Sequence, residues 1–291
     1  MVSVNFIKPS SCLQRIWRCA VLLGLYLLAA TNTFADPLRI SITGNPTTSK
    51  YEPAYFFEQL LILSLEKTRA TDGDFFIVHN IHGGGIARDR AMVIAGAGID
   101  AMWASVTKER EQQMRLVPVD LLKGLNNYRV LLINKDAQSQ FTKVKTLDDL
   151  RQFSVGSGEH WTDGNILKDN GFNVILTSSY SGLFKMLAAR RFNFISRGLH
   201  EIGYDTKEYK SLGLIQETNI LLQYDVPIRY CFFVNKNNVA LADRIERGLK
   251  IAQQDGSFDQ LFYQMPSFKT GEELFKSSHR TVIEIKNTKT E

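Results

Sequence analysis

The sequence predicts an α/β protein built as two lobes. Three observations carry this. Short apolar or alternating runs recur between segments with helical spacing. Glycines and capping residues punctuate them. The two strongest apolar runs, near residues 130 and 231, stand where the chain would cross between two bodies. Strands that alternate with helices form mainly parallel sheets. A chain of 291 residues suffices for about two domains at roughly 150 residues each.

The elements follow in order. Leu38–Thr43 alternates and reads as a strand. Residues 53–69 bring Tyr55, Leu60, Leu61, Ser64 and Leu65 near helical spacing. A turn at 71–74 precedes a strand at 75–79. Arg88–Ala95 is helical and Gly96-Ala97-Gly98 stops it. A short strand at 100–104, a short helix at 108–114 and a strong strand at 127–134 follow. Thr146–Gln152 is a capped helix, with Asp149 placed for a capping box. Strands at 153–155, 174–176 and 192–195 alternate with helices at 161–170 and 181–191. Gly156-Ser157-Gly158 is expected to end the first of these strands. Residues 208–214 lead to strands at 220–222 and 228–235. The helix at 240–254 places Leu241, Ile245, Leu249 and Ala252 on one face.

Hydrophobic residues make up 44% and charged residues 22%, a composition for folding rather than disorder. The net charge of +5 changes meaning once the N-terminus is read. Lys8, Arg15 and Arg18 precede an apolar run, residues 20–30, and Thr33-Phe34-Ala35 supplies small residues at a cleavage site. This is the layout of a secretory signal peptide, with cleavage expected after Ala35. The apolar run spans about 16 Å as a helix, against a bilayer core of about 30 Å. Removing 35 residues leaves 256, with 32 basic and 30 acidic side chains, or +2. That balance gives no nucleic-acid footprint. Cys12 and Cys19 leave with the signal. Cys231 then has no partner for an internal disulfide and reads as a buried core residue.

Catalytic and metal motifs are mostly absent. His82-Gly83-Gly84-Gly85 has the form of an esterase oxyanion loop, but no G-x-S-x-G elbow accompanies it. His79 and His82 lack a third ligand nearby. His200-Glu201 lacks the second histidine of a zinc-protease helix. No metal and no cofactor is expected.

The informative segment is Asp100–Arg110, Asp-Ala-Met-Trp-Ala-Ser-Val-Thr-Lys-Glu-Arg. A strand ends at Ser105 and Thr107 can cap the next helix. Arg110 then lies in that helix's first turn, where a cation opposes the helix dipole. It is a surface arginine or one aimed at a carboxylate.

The order G-x-D-A followed by S-x-T-x-x-R, here Gly98–Ala101 and Ser105–Arg110, resembles bacterial periplasmic solute-binding proteins of the polar amino acid type, family 3. Thr146–Leu150 with Val155–Gly158, the segment Tyr180–Asn193, and Phe233–Lys236 with Leu241 and Asp255-Gly256 resemble its later landmarks. The resemblance covers most of 36–265. It implies a type II periplasmic-binding-protein clamp. Lobe 1 would hold residues 36–134 plus 230–291, and lobe 2 residues 135–229. It further implies a monomeric, periplasmic, non-catalytic protein that closes on a solute. The partner would be an inner-membrane ABC permease or a signalling receptor.

By that resemblance Ser105 and Arg110 hold a ligand carboxylate, with Trp103 beside them. Tyr51, or secondly Tyr55, packs on the ligand, and Gly158, Glu159, His160 and Trp161 approach from lobe two. An enzyme on this scaffold, such as a dehydratase or lyase, would use Glu159 and His160. Family members that bind α-amino acids place an aspartate where this chain has Ser196-Arg197-Gly198. Arg197 cannot accept an ammonium proton. Arg197 either faces the ligand, favouring an anionic or dicarboxylate solute, or pairs with Glu201 at i, i+4.

Overall fold

The computed structural model describes residues 36–81, 85–277 and 279–289. The expected export signal at 1–35, and His82 with Gly83 and Gly84, lie outside the described residues. The described residues from Leu38 onward form one compact unit.

In chain order the elements begin with β1 (Leu38–Thr43), α1 (Pro53–Lys67), β2 (Phe75–Asn80), α2 (Gly85–Ala95) and β3 (Ala101–Ser105). Then come α3 (Lys108–Gln113), β4 (Met114–Leu116), β5 (Tyr128–Asn134), α4 (Leu147–Arg151), β6 (Val155–Gly158) and α5 (Thr162–Asp169). β7 (Val174–Thr177), α6 (Tyr180–Ala188), β8 (Phe194–Gly198), α7 (Ile202–Glu208), β9 (Leu214–Gln216) and β10 (Ile220–Tyr224) follow. The chain closes with β11 (Tyr230–Asn235), α8 (Val239–Gln254), α9 (Ser257–Phe262), α10 (Pro266–Ser277) and β12 (Thr281–Ile285).

These strands form three sheets. β1 and β2 pair in parallel, and β3-β11-β4 is antiparallel. The large sheet runs β12-β10-β5-β8-β6-β7, with β9 beside β5. The α/β alternation is as the sequence predicts, but the pairing is mixed rather than mainly parallel. β6 runs parallel to β7 and β8, whereas β5 runs against β8, β9 and β10. The chain passes from the three-stranded sheet to the large one through 117–127 and returns through 225–229. Asn127 Oδ1 accepts the Ile228 N–H at 2.5 Å, and Asp120 Oδ1 accepts that of Tyr230 at 3.0 Å, so the two passages are tied together. β12 makes a third passage: residues 281–285, grouped by the sequence with the first lobe, pair with β10 in the large sheet.

Local chemistry explains the elements. Pro53 opens α1, where its missing N–H costs nothing. Thr146 and Asp149 form the full capping box of α4. Val155–Gly158 remains in β6 although two of its four residues are glycine. Gly156 faces the ring of Phe192, which a Cβ would strike at 2.1 Å. The glycine there reflects close packing and not a turn. α8 lies along α1. The closest approach is Gly248, where a Cβ would sit 1.8 Å from the Ser64 carbonyl oxygen. Leu241, Ile245, Leu249 and Ala252 of α8 are buried with Phe56, Leu60 and Leu61 of α1. Cys231 is buried, and burial pushes its thiol up to about 12. No described helix is long and apolar enough to cross a membrane.

Candidate functional site

A cavity of about 270 Å³ opens between the end of β3, the start of α5 and the end of β8. Thr107 caps α3, accepting the Arg110 N–H at 3.3 Å, and this cap sets where the arginine departs from the helix. The Arg110 side chain then turns inward and is 7% exposed. Its Nη1 donates to the Ser105 carbonyl at 2.7 Å and to Thr162 Oγ1 at 2.8 Å. Its Nε is buried with no hydrogen-bond partner. Among the described residues no carboxylate lies within ion-pair distance of it. Burial lowers its pKa, although an arginine stays charged. A buried cation with an unmet donor is costly unless an anion reaches it. Ser105, Trp103 and Tyr230 stand beside it on the same wall.

The opposite wall is an ion-pair network. Arg197 lies on β8, with Nε 2.5 Å from Asp205 Oδ2 and Nη2 3.0 Å from Glu201 Oε1. Its guanidinium also lies over the Trp161 ring at 4.7 Å. Arg129 lies on β5, with Nε 3.1 Å from Asp163 Oδ1 and Nη1 3.4 Å from Glu201 Oε2. The Tyr224 hydroxyl joins Asp163 and Arg129. Burial opposes each charge. The carboxylates outweigh it for Arg129 and Arg197, whose pKa values are raised. Burial likewise works against Glu201, but Arg197, His200 and Arg129 hold its carboxyl down at about 2. Asp205 goes the other way: its complete burial outweighs Arg197 and raises its pKa.

The structure therefore settles Arg197 differently from a bare ligand contact. It lines the cavity, and its charge is balanced by Glu201 and Asp205. The i, i+4 pairing with Glu201 is present. Of Arg110 and Arg197, only Arg110 lacks a carboxylate among the described residues. The expected strand at 192–195 runs instead from 194 to 198, so Arg197 sits within it and not after it.

Trp103, Ser105, Arg110, His160, Trp161 and Arg197 converge on the cavity. Gly158 and Glu159 line an adjoining outer chamber of about 520 Å³ instead. Tyr51 does not line either space. It is 47% exposed, with Lys207 Nζ 3.5 Å from its ring centre. Tyr55 packs, half-buried, against the hydrophobic core. Sequence reasoning missed Asn126, Arg129, Asp163, Tyr180, His200 and Tyr230 as cavity residues. The available signal was a charge inside an apolar strand: Arg129 interrupts Tyr128–Asn134, and only a paired arginine survives there.

His200 is 3% exposed on the cavity wall. Burial, reinforced by Arg129 and Arg197 against Glu201, lowers its pKa to about 4. A folded pKa below the unfolded value of about 6.5 means that stability is complete above pH 6.5 and is lost as pH falls toward 4. Between pH 7 and 5 the loss is about 2 kcal/mol, or roughly 4–8 °C in Tm. His200→Gln is expected to flatten the Tm profile in that interval. An equal drop in wild type and variant would remove His200 as the cause.

No family model and no curated protein matches the chain. Solved structures do. A histidine kinase sensor domain with similarity to periplasmic binding proteins is 14% identical, with 80% of this chain and 97% of that one covered and a TM-score of 0.60. A Salmonella typhimurium periplasmic binding protein described for high arginine specificity is 16% identical, with 79% and 99% covered and a TM-score of 0.58. An ancestral amino-acid-binding protein, precursor of cyclohexadienyl dehydratase, is 14% identical, with 79% and 95% covered and a TM-score of 0.56. The chain has the type II periplasmic-binding-protein fold, as its sequence landmarks imply.

Proposed function

We propose that this protein is a periplasmic binding protein that closes on a small carboxylate-bearing solute and delivers it to a membrane ABC transporter. The observation that carries the reading is Arg110: a buried guanidinium that lines the cavity without a carboxylate partner, its Nε hydrogen bond unmet. A ligand carboxylate supplies the missing anion through charge-assisted hydrogen bonds. Ser105 and Thr162 stand beside it, one from each wall. The aromatic residues Trp103, Trp161 and Tyr230 supply apolar surface for the body of the solute. A two-lobe division with crossings near 130 and 230 remains part of this proposal, but Tyr128–Asn134 and Thr281–Ile285, expected in lobe 1, pair in the large sheet with the lobe-two strands and go with that lobe. Export by a signal ending at Ala35 also remains part of it.

A dicarboxylate loses its main motive, since Arg197 is balanced by its own acids. The protein binds and does not turn its solute over. Of Glu159 and His160, the acid/base candidates of a dehydratase or lyase, only His160 lines the inner cavity. The sensor reading, in which the same clamp reports to a membrane receptor, is supported by the likeness to a kinase sensor domain.

Calorimetry with small carboxylic acids and their matched amides tests the proposal. An acid that binds at least tenfold more tightly than its amide is the expected result. Equal affinity for acid and amide would contradict it, and turnover of the bound acid would favour the enzyme.

A further inference from the structure

We infer that a polar chamber shared by Lys108 and Arg110 is the vestibule through which an anionic solute reaches the inner cavity, with Lys108 as its steering charge, an inference that rests on the carboxylate reading of Arg110.

The chamber has a volume of about 280 Å³ and adjoins the cavity. Arg110, His160 and Thr162 line both spaces, so the two share a wall. The hydrogen bond from Arg110 Nη1 to Thr162 Oγ1, at 2.8 Å, joins two side chains of that wall. Arg110 is 7% exposed and its Nε has no partner. An acid in the chamber therefore meets a guanidinium that also lines the space beyond.

The first argument is the chamber's charge. Arg90, Lys108, Arg110 and Lys289 line it, against Glu109 and Glu159. Two of these cations are engaged: Arg90 Nη1 lies 3.4 Å from Glu109 Oε1, and Lys289 Nζ meets Asp169. Lys108 is exposed, and among the described residues no carboxylate lies within ion-pair distance of it. Its backbone N–H donates to the Lys289 carbonyl at 3.2 Å, so the attraction it offers is that of the side chain. Lys108 and Arg110 together outweigh Glu159. Opposite charge along a path raises the local concentration of an anion and its association rate.

The second argument is the other way in. The outer chamber adjoins the cavity through Ile86, His160, Trp161 and Tyr180. Glu159 lines it too, and among the described residues no lysine or arginine does. An acid on that route meets a carboxylate and aromatic rings before any cation. Lys108 does not line the inner cavity, so its charge acts on arrival and not on the bound solute.

Stopped-flow mixing of the purified protein with carboxylic acids tests this, read by the fluorescence of Trp103 and Trp161, which line the cavity. The panel is benzoate, phenylacetate, succinate, leucine, phenylalanine, glutamate and arginine, with the matched amide of the tightest acid as control. Lys108→Gln is expected to slow association of that acid about threefold in about 0.01 M salt, and Lys108→Glu about tenfold. Both variants should fold, since the position is exposed and an acid in a first helical turn suits the dipole. Dissociation should be unchanged. The effects should fade near about 1 M salt, where the screening length is about 3 Å rather than about 30 Å. Ser178→Glu changes the net charge as Lys108→Gln does, but in the outer chamber. It should slow association less than Lys108→Gln. A larger effect from Ser178→Glu, or wild-type association in Lys108→Glu, would overturn this inference while leaving the carboxylate reading intact. Faster dissociation with unchanged association would also overturn it, since Lys108 would then be a contact of the bound solute. Control binding equal to that of the acid would overturn both, as would no binding across the panel.

Discussion

Arg110→Met is expected to weaken solute binding by about 2–5 kcal/mol, the range for deleting one partner of a desolvated charge-assisted pair. The reason is specific to this cavity. The other two arginines that line it, Arg129 and Arg197, already meet carboxylates. Only Arg110 is left to meet the ligand's charge, so no neighbour can substitute. Folding should change little. The substitution removes hydrogen bonds to Ser105 and Thr162, but it also removes a buried, uncompensated cation. Calorimetry and denaturant unfolding on the same variant separate the two effects. Unchanged affinity would sink the role given to Arg110.

Asp205→Ala is expected to act on stability instead. Asp205 is completely buried and meets Arg197 Nε, and Arg197 is itself 3% exposed. Removing one member of a buried pair leaves the other charge in a poor environment, at a cost of about 3–5 kcal/mol. For a chain of this size that is roughly 6–20 °C in Tm, at about 2–4 °C per kcal/mol. The exposed pair of Lys67 and Asp255 provides the comparison. Asp255→Asn should leave Tm nearly unchanged, because solvent screens surface pairs. A small shift for Asp205→Ala would mean that Glu201 alone compensates Arg197.

Periodicity and capping made most of the strands and helices legible. Thr107 and Thr146 announced their helices because a hydroxyl before a helical run has one obvious use, and both accept the expected N–H. Three things were not legible. The first is the region after Gly256: α9, α10 and β12 were not read, although Phe258, Phe262 and Phe268 are core residues. Their aromatic spacing becomes meaningful only when Phe56 packs against all three. The second is strand direction, since an apolar run carries no sign of which way its neighbour runs. The third is the charged wall. Arg129, Asp163, Glu201 and Asp205 are spread over 77 positions from first to last, and each alone reads as a surface charge. Only the approach of β5, β8, α5 and α7 turns them into one network. Arg110 was legible because its helix start, its cap and the preceding strand are contiguous.

The most direct measurement is a crystal structure of the protein with the tightest-binding acid of the panel. The account predicts the ligand in the inner cavity, with carboxylate oxygens within hydrogen-bond distance of Arg110 Nε and close to Ser105 and Thr162. A carboxylate held anywhere else, with Arg110 Nε still unbonded, would contradict it.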